Sequence, residues 1–321
     1  MRRALFVTGI VVCGCGSTTA PLPPVTLASG QYALGIVVDS TNVYWFNSPA
    51  IGGPFTGAVM GVALDGGTPV VVAAVENPSG IAIDSTSIYW TDPISVSGNG
   101  MPGTIGTGTV RKVPLPGGTP VTLASSQVGG AIAVDSTSVY FSDGGGVVKV
   151  GLSGGAPESL VSGLLNVGGL SVDSSSVYWV SVEGAVTKVA VTGGTTVLLT
   201  SKRSNAIAVD ATSVYFADAL DGAIWKVGLA GSTLSPITEG RGYTNGIAVD
   251  ATSVYWTVQG ALGTHGCNAD VACGGFVMKV GLFGGTPVTL ASSPNPFALA
   301  VDSTSVYWTD TTEGTVMKAP K

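Results

Sequence analysis

The chain has 321 residues, of which 45% are hydrophobic and only 10% charged, with a formal net charge of −6. That length and apolar content suffice for a large buried core, while an acidic balance without a basic cluster excludes a nucleic-acid-binding surface. Glycine (48) and proline (18) are abundant, yet Val, Ile, Thr, Tyr and Trp recur in short runs between Gly, Pro, Ser and Asp clusters. This is the composition of strands and tight turns, and no segment sustains a capped helical period, so the expected class is all-β.

In chain order, Arg2 and Arg3 come first and precede the apolar run Ala4 to Val12. That run is too short to span a bilayer and suits the apolar core of a secretory signal. The following Val12-Cys13-Gly14-Cys15 resembles the bacterial lipoprotein box, in which a small residue precedes a cysteine that is lipidated and becomes the mature N-terminus. Cys13 stands where that box usually has Ala or Ser. The resemblance implies a cleaved signal peptide over 1–14, a lipid anchor on Cys15, a short tether over 15–23 and a folded domain over 24–321. The expected location is the periplasm or outer membrane of a bacterium, with plain secretion as the alternative. Removing Arg2 and Arg3 with the signal leaves 11 basic against 19 acidic side chains, a balance of −8.

A repeat fills the rest. Aligned on their aspartates, seven copies begin the same turn at Asp39, Asp84, Asp135, Asp173, Asp210, Asp250 and Asp302, spaced by 45, 51, 38, 37, 40 and 52 residues. This period belongs to propeller blades and is far too long for a β-helix coil. Each copy reads as four strands, typified by Gly246 to Asp250 (A), Ser253 to Thr257 (B), Val277 to Leu282 (C) and Thr286 to Ser292 (D). Asp-Ser/Ala-Thr/Ser-Ser/Asn lies between A and B, and a Gly-Gly-Thr-Pro type of turn between C and D. The last copy stops at Val316-Met317-Lys318, a C strand without a D, and the first is preceded by Pro24 to Ser29, a D strand without a C. Joined, they predict a seven-bladed β-propeller of four-stranded blades in which the N-terminal strand completes the last blade.

Tyr89-Trp90-Thr91-Asp92 and Tyr307-Trp308-Thr309-Asp310 carry a resemblance to the YWTD repeats of the LDL-receptor class, and more loosely to NHL-type propellers, from about residue 24 to 321. Tyr140-Phe141-Ser142-Asp143 and Tyr178-Trp179-Val180-Ser181 are degenerate versions. Receptor propellers of this class have six blades and adjoin EGF-like cysteine modules, neither of which is seen here. The resemblance therefore implies the fold and not receptor function.

The repeated residues are expected to be structural. Each of the seven aspartates supplies one carboxylate and suits an Asx turn, whereas calcium needs six to eight oxygen ligands. Tyr44, Tyr89, Tyr140, Tyr178, Tyr215, Tyr255 and Tyr307 alternate with an aromatic neighbour and are expected between blades, each hydroxyl on a polar partner. Lys112, Lys149, Lys188, Lys226, Lys279 and Lys318 share one position in strand C, with Gly61 in the first copy; inter-blade pairing with the aspartate ending strand B is one expectation, and solvation of an outer strand the other. Cys267 and Cys273, in the insertion Gly260 to Gly275, suit a local disulfide in an exported protein. The rival, a zinc site of His265, Cys267, Asp270 and Cys273, departs from usual ligand spacing. No metal or other cofactor is expected, and with His265 the only histidine no residue is assigned a catalytic role.

Alternating strand direction puts D–A and B–C connections on one face, here the top, and A–B and C–D turns on the bottom. The three large insertions, near Ser48 to Thr56, Pro93 to Gly108 and Gln259 to Gly275, are all B–C loops of blades one, two and six. Such variable loops on a uniform scaffold usually carry binding. Asn77, Asn166, Asn205, Asn245 and Asn295 fall in the D–A connections, with Glu76 the one carboxylate among them. They read as ordinary turn residues or, alternatively, as a metal or sugar site at the channel mouth, where gluconolactonase-like propellers hold a metal. The expectation is a monomeric, non-catalytic envelope lipoprotein that binds a protein or glycan on its top face; the alternative is a metal-dependent hydrolase or lyase at that mouth. Because strand D enters from the bottom, a tether over Gly16 to Pro23 of at most about 30 Å would hold the bottom towards the membrane.

Overall fold

The computed structural model describes residues 23–47, 57–92, 108–126, 129–164, 167–181, 184–218, 220–231, 233–240, 242–260 and 274–321. The expected signal, the expected tether up to residue 22, Cys15, Asn166, His265, Cys267, Asp270, Cys273 and most of the three long B–C insertions lie outside these residues.

Among the described residues there is no helix, and the strands form seven four-stranded antiparallel sheets arranged as the blades of a ring. Blade one is β2 (Ala33–Val38), β3 (Asn42–Asn47), β4 (Gly57–Ala63) and β5 (Val70–Val75). Blade six is β22 (Ile247–Val249), β23 (Ser253–Val258), β24 (Gly275–Gly281) and β25 (Val288–Ser293). The innermost strands, β2, β6 (Ile81–Ile83), β10 (Ile132–Val134), β14 (Val167–Val172), β18 (Ser204–Val209), β22 and β26 (Pro296–Val301), each touch the next, and β26 returns to β2. This close approach has a local signature at Gly80, where an added Cβ would stand 2.1 Å from the Gly130 carbonyl oxygen of the next blade. Any larger residue would push the two inner strands apart.

The ring closes as the repeat predicts. β1 (Val25–Ala28) pairs with β28 (Thr315–Pro320) in the register Val25 to Lys318, Thr26 to Met317 and Ala28 to Val316, next to β27 (Ser305–Asp310) and β26. Strands from the two ends of the domain thus share one sheet, and no strand C is left as an open edge.

Between blades the core follows from period-two alternation in strand B. Ile88 and Trp90 pack with Tyr44, Phe46 and Val59 of blade one, whereas Tyr89 faces the other way onto Val139, Phe141 and Val148 of blade three. Trp45, Trp90, Trp179, Trp256 and Trp308 are all fully buried. Each contributes on the order of 2–3 kcal/mol by removing its apolar surface from water. At the seam that closes the ring, Leu27, Tyr307 and Val316 pack against Ile36, Val43, Trp45 and Val62.

The strand C lysines differ from one expectation. Five of the six join blades, but through backbone carbonyls and not the aspartates that end strand B. The ammonium groups of Lys112, Lys149, Lys188, Lys226 and Lys318 donate to the carbonyls of Leu152, Val191, Leu229, Leu282 and Leu64 at 2.5–3.3 Å. Each acceptor belongs to the residue that follows strand C in the next blade, so every such lysine is a strut across a seam. Gly61 takes the lysine's place in blade one, and the Tyr44 ring lies 2.9 Å from where its Cβ would stand. At the seam of blades six and seven Lys321 occupies the position held by Leu or Val elsewhere, and its ammonium donates to Asp250 Oδ2 at 2.5 Å.

Candidate functional site

The two ends of the blades are built by different residues, and the contrast isolates the surface free for function. At the bottom every A–B turn is the same. Oδ1 of Asp39, Asp84, Asp135, Asp173, Asp210, Asp250 and Asp302 accepts the backbone N–H groups two and three residues on, at 2.7–2.9 Å, and the hydroxyl of the intervening Thr or Ser. Oδ2 accepts the hydroxyl of the tyrosine five residues on, at 2.7–3.1 Å. Burial alone would raise these carboxyls, but the converging donors outweigh it and hold all seven below the ordinary carboxylate range. Burial and the adjacent carboxylate push the phenols of Tyr44, Tyr89, Tyr178 and Tyr255 up to about 12. The lone pairs that a calcium ion would need are already engaged.

At the top, the residue ending strand B holds the incoming D–A connection, and it differs from blade to blade. Asn47 Oδ1 accepts the Tyr32 N–H at 2.9 Å, and Ser142 Oγ accepts the Ala131 N–H at 3.2 Å. Asp310, fully buried, accepts the Ser293 hydroxyl and, at 2.9 Å each, the N–H groups of Asn295, Thr312 and Glu313. Asp218 takes the Lys202 ammonium, which also lies 4.3 Å from the Trp225 ring centre. The sequence signal for this role is the Asp three residues after the tyrosine, present in blades two, three, five and seven; in blade three Ser142 and not Asp143 makes the bond, so the signal does not by itself single out the clamp.

Among the described residues the asparagines expected at the channel mouth meet separate partners. Asn205 donates its side-chain amide to the Thr244 carbonyl, tying blade five to blade six beside Asn245. Asn295 donates to Thr311 Oγ1 at 2.7 Å within its own blade. Glu76 and Asn77 lie at the seam of blades one and two, near Asp92. Buried polar atoms without a partner among the described residues include Asn205 Oδ1, Thr244 Oγ1, Asn245 Nδ2 and Asn295 Oδ1. They mark a polar inner rim over blades five to seven, where bulges in β18 and β26 bend the inner strands at their upper ends. Asp92 is buried, accepts Trp90 Nε1–H at 2.8 Å and stands 3.9 Å from Arg111. Burial, helped by the charge of Glu76, raises its carboxyl in spite of those partners. Among the described residues no three His, Cys, Asp or Glu side chains are placed to hold a metal ion.

Exposed aromatic and aliphatic side chains complete the described top surface. Tyr32 and Tyr243 are each 50% exposed in D–A connections, and Leu220 is 79% exposed in the B–C connection of blade five.

No family model matches the sequence, and no curated protein matches it. Among solved structures, a streptogramin B lyase aligns over 92% of this chain and 96% of its own, at 12% identity and a TM-score of 0.66. BamB from Moraxella catarrhalis aligns over 89% and 84%, at 15% identity and a TM-score of 0.56. A chain of a nidogen/laminin complex covers 64% of this chain and 82% of its own, at 18% identity and a TM-score of 0.50. At these identities the likeness is one of fold, and the fold that this chain shares with them is the β-propeller.

Proposed function

We propose that the protein is a non-catalytic binding scaffold of the bacterial cell envelope, anchored through Cys15, that takes a protein or glycan on its top face. The observation that carries this reading is the division between the two ends of the blades. The bottom A–B turns repeat one hydrogen-bonded joint seven times, whereas the chain between Asn47 and Gly57, Asp92 and Gly108, and Val258 and Gly275 lengthens the top connections of blades one, two and six. With blade seven between six and one, these lie on one side of the ring, as binding loops on a rigid scaffold would. Exposed Tyr32 and Tyr243 supply large contact area at low entropic cost, the property that makes tyrosine frequent in binding surfaces. A propeller in a nidogen/laminin complex is in keeping with a protein partner.

The test is site-specific photo-crosslinking in intact cells, with p-benzoylphenylalanine at positions 32, 220 and 243 on top and at 153, in an exposed C–D turn, below. The reading expects covalent protein adducts, or glycan adducts removable by glycosidases, from the top positions and none from below. Adducts confined to position 153, or absent from all three top positions, would overturn it.

A further inference from the structure

The bottom is chemically a surface in its own right. In the C–D turn of blade six Phe283 is 97% exposed, at a position held by Asp65, Pro116, Ser153, Thr192 and Ala230 in the preceding blades. The Lys226 ammonium lies 5.0 Å from the ring centre, but at this exposure no apolar packing covers the benzyl group, and no other copy of the repeat places one there. Around it the outer strands begin, at their bottom ends, with exposed Val25, Val70, Val121, Val197 and Val288. The apolar side chains shown to solvent at this end therefore form a rim with one projecting aromatic. Beside Phe283 a cleft of 790 Å³ runs between blades five and six, lined by Ala211, Ala251 and Leu282 among others.

Charge divides in the same sense. Seven ammonium groups end at the bottom: five on the C–D turn carbonyls, Lys279 beside the cleft that also holds Asp302, and Lys321 on Asp250. They stand against nine described carboxylates on that face, the seven turn aspartates, which are engaged by turn N–H groups and tyrosines, together with Asp65 and Glu158, the latter paired with Lys149. On top, Arg111, Lys202 and Arg203 are the described cations and are outnumbered by acids, among them Glu76, Asp143, Asp221, Glu239 and Glu313. An anionic lipid surface would thus repel the top more strongly than the bottom. The chain also enters β1 at this end, so residues 1–22, with the apolar run and Cys15, join the propeller at its bottom.

We propose that the bottom face rests on a lipid bilayer, with Phe283 entering the headgroup layer and the valine rim at its level. The idea takes the presence of a membrane from the envelope reading above, but the choice of face comes from the described side chains. Phe283 acts as an interfacial wedge, the surrounding lysines meet lipid phosphates, and a short tether keeps the weak contact engaged by effective concentration.

The test uses the chain from Cys15 to Lys321 with Cys267→Ser and Cys273→Ser, so that Cys15 alone couples to a maleimide phospholipid. It is displayed on vesicles of phosphatidylethanolamine and phosphatidylglycerol with brominated acyl chains. Tryptophan is introduced as Phe283→Trp below or Tyr243→Trp on top, and the signal of the six native tryptophans, five of them fully buried, is measured in the unsubstituted chain and subtracted. The Phe283→Trp signal should shift to the blue and lose roughly half its added intensity to bromine, while the Tyr243→Trp signal keeps the value seen with unbrominated lipid. Quenching at 243 and not 283, or at neither, overturns the proposal. So does a dimer of the uncoupled chain in sedimentation that Phe283→Asp abolishes, which would give the face to a second copy. Because the tether is chemical, failure here leaves the photo-crosslinking result on the top face standing, and the converse also holds.

Discussion

The aspartate that opens each repeat does two jobs with its two oxygens. Oδ1 closes the turn and Oδ2 receives a tyrosine from the middle of strand B, so turn and blade interior are joined through one side chain. Asp173→Ala would leave the N–H groups of Ser175 and Ser176 and the Tyr178 hydroxyl without their acceptor. A loss of about 2–3 kcal/mol in urea unfolding is expected, against about 1 kcal/mol for Tyr178→Phe, which removes only the hydroxyl. The same joints set a pH window. The seven carboxyls are lowered by folding, so their contribution is complete above the ordinary carboxylate pKa of about 4 and is lost as pH falls through the lower folded values. The phenols are raised, so theirs is complete below about 10 and is lost as pH rises through the folded values. Thermal unfolding should show a plateau of Tm between these limits with a fall on both sides, and a steady slope across neutral pH would contradict it. The turn was legible in the sequence because Asp, Thr and Tyr recur together. The clamp made by Asp310 was not, because its donors, Ser293 and the N–H of Asn295, come from a neighbouring connection that the repeat does not align.

At the level of strands, the four-per-blade pattern was readable from alternating aromatic and β-branched residues, but the edges were not. Strand A reads from the sequence as Gly246 to Asp250, yet the ladder holds only Ile247–Val249. At the upper end Thr257 explains the difference, since its hydroxyl accepts the Gly246 N–H at 2.9 Å and donates to the Phe297 carbonyl of the next blade at 2.9 Å, while at the lower end Asp250 already belongs to the A–B turn. A side chain has replaced part of the ladder, a substitution that hydrophobic periodicity does not report. The lysine struts were half visible for the same reason: the lysines recur in sequence, but carbonyl acceptors belong to every residue. Lys188→Met keeps the aliphatic stem and removes the bond to the Leu229 carbonyl. It should lower stability by about 1–2 kcal/mol in urea unfolding without altering the far-ultraviolet circular dichroism. An unchanged midpoint would show the strut to be incidental.

For the whole molecule, the unequal ends of the repeat were the most informative feature, because a missing strand D at one terminus and a spare one at the other admit a simple closure. The pairing of β1 with β28 realises it. Removing Pro24 to Ser29 should expose the edge of β28 and the apolar surface that Leu27 and Ala28 cover at the closing seam. The expected result is loss of a single cooperative transition and aggregation on size-exclusion chromatography, whereas removing residues 16–22 should leave both as they are. The candidate site was less legible than the ring. The asparagines share sequence positions but not partners, and their grouping depends on which neighbouring carbonyl or hydroxyl each one meets.

The closing sheet also decides how the protein would bear force. Strand β1 rises from the bottom, and its bonds to β28 run across the strand direction. A pull on the chain ahead of Val25, resisted by a ligand held on the top, therefore acts along β1 and loads those bonds together in shear. Peeling, in which bonds would break one after another, is avoided, and the strand that shuts the ring is also oriented to carry tension between the chain's entry point and its upper face.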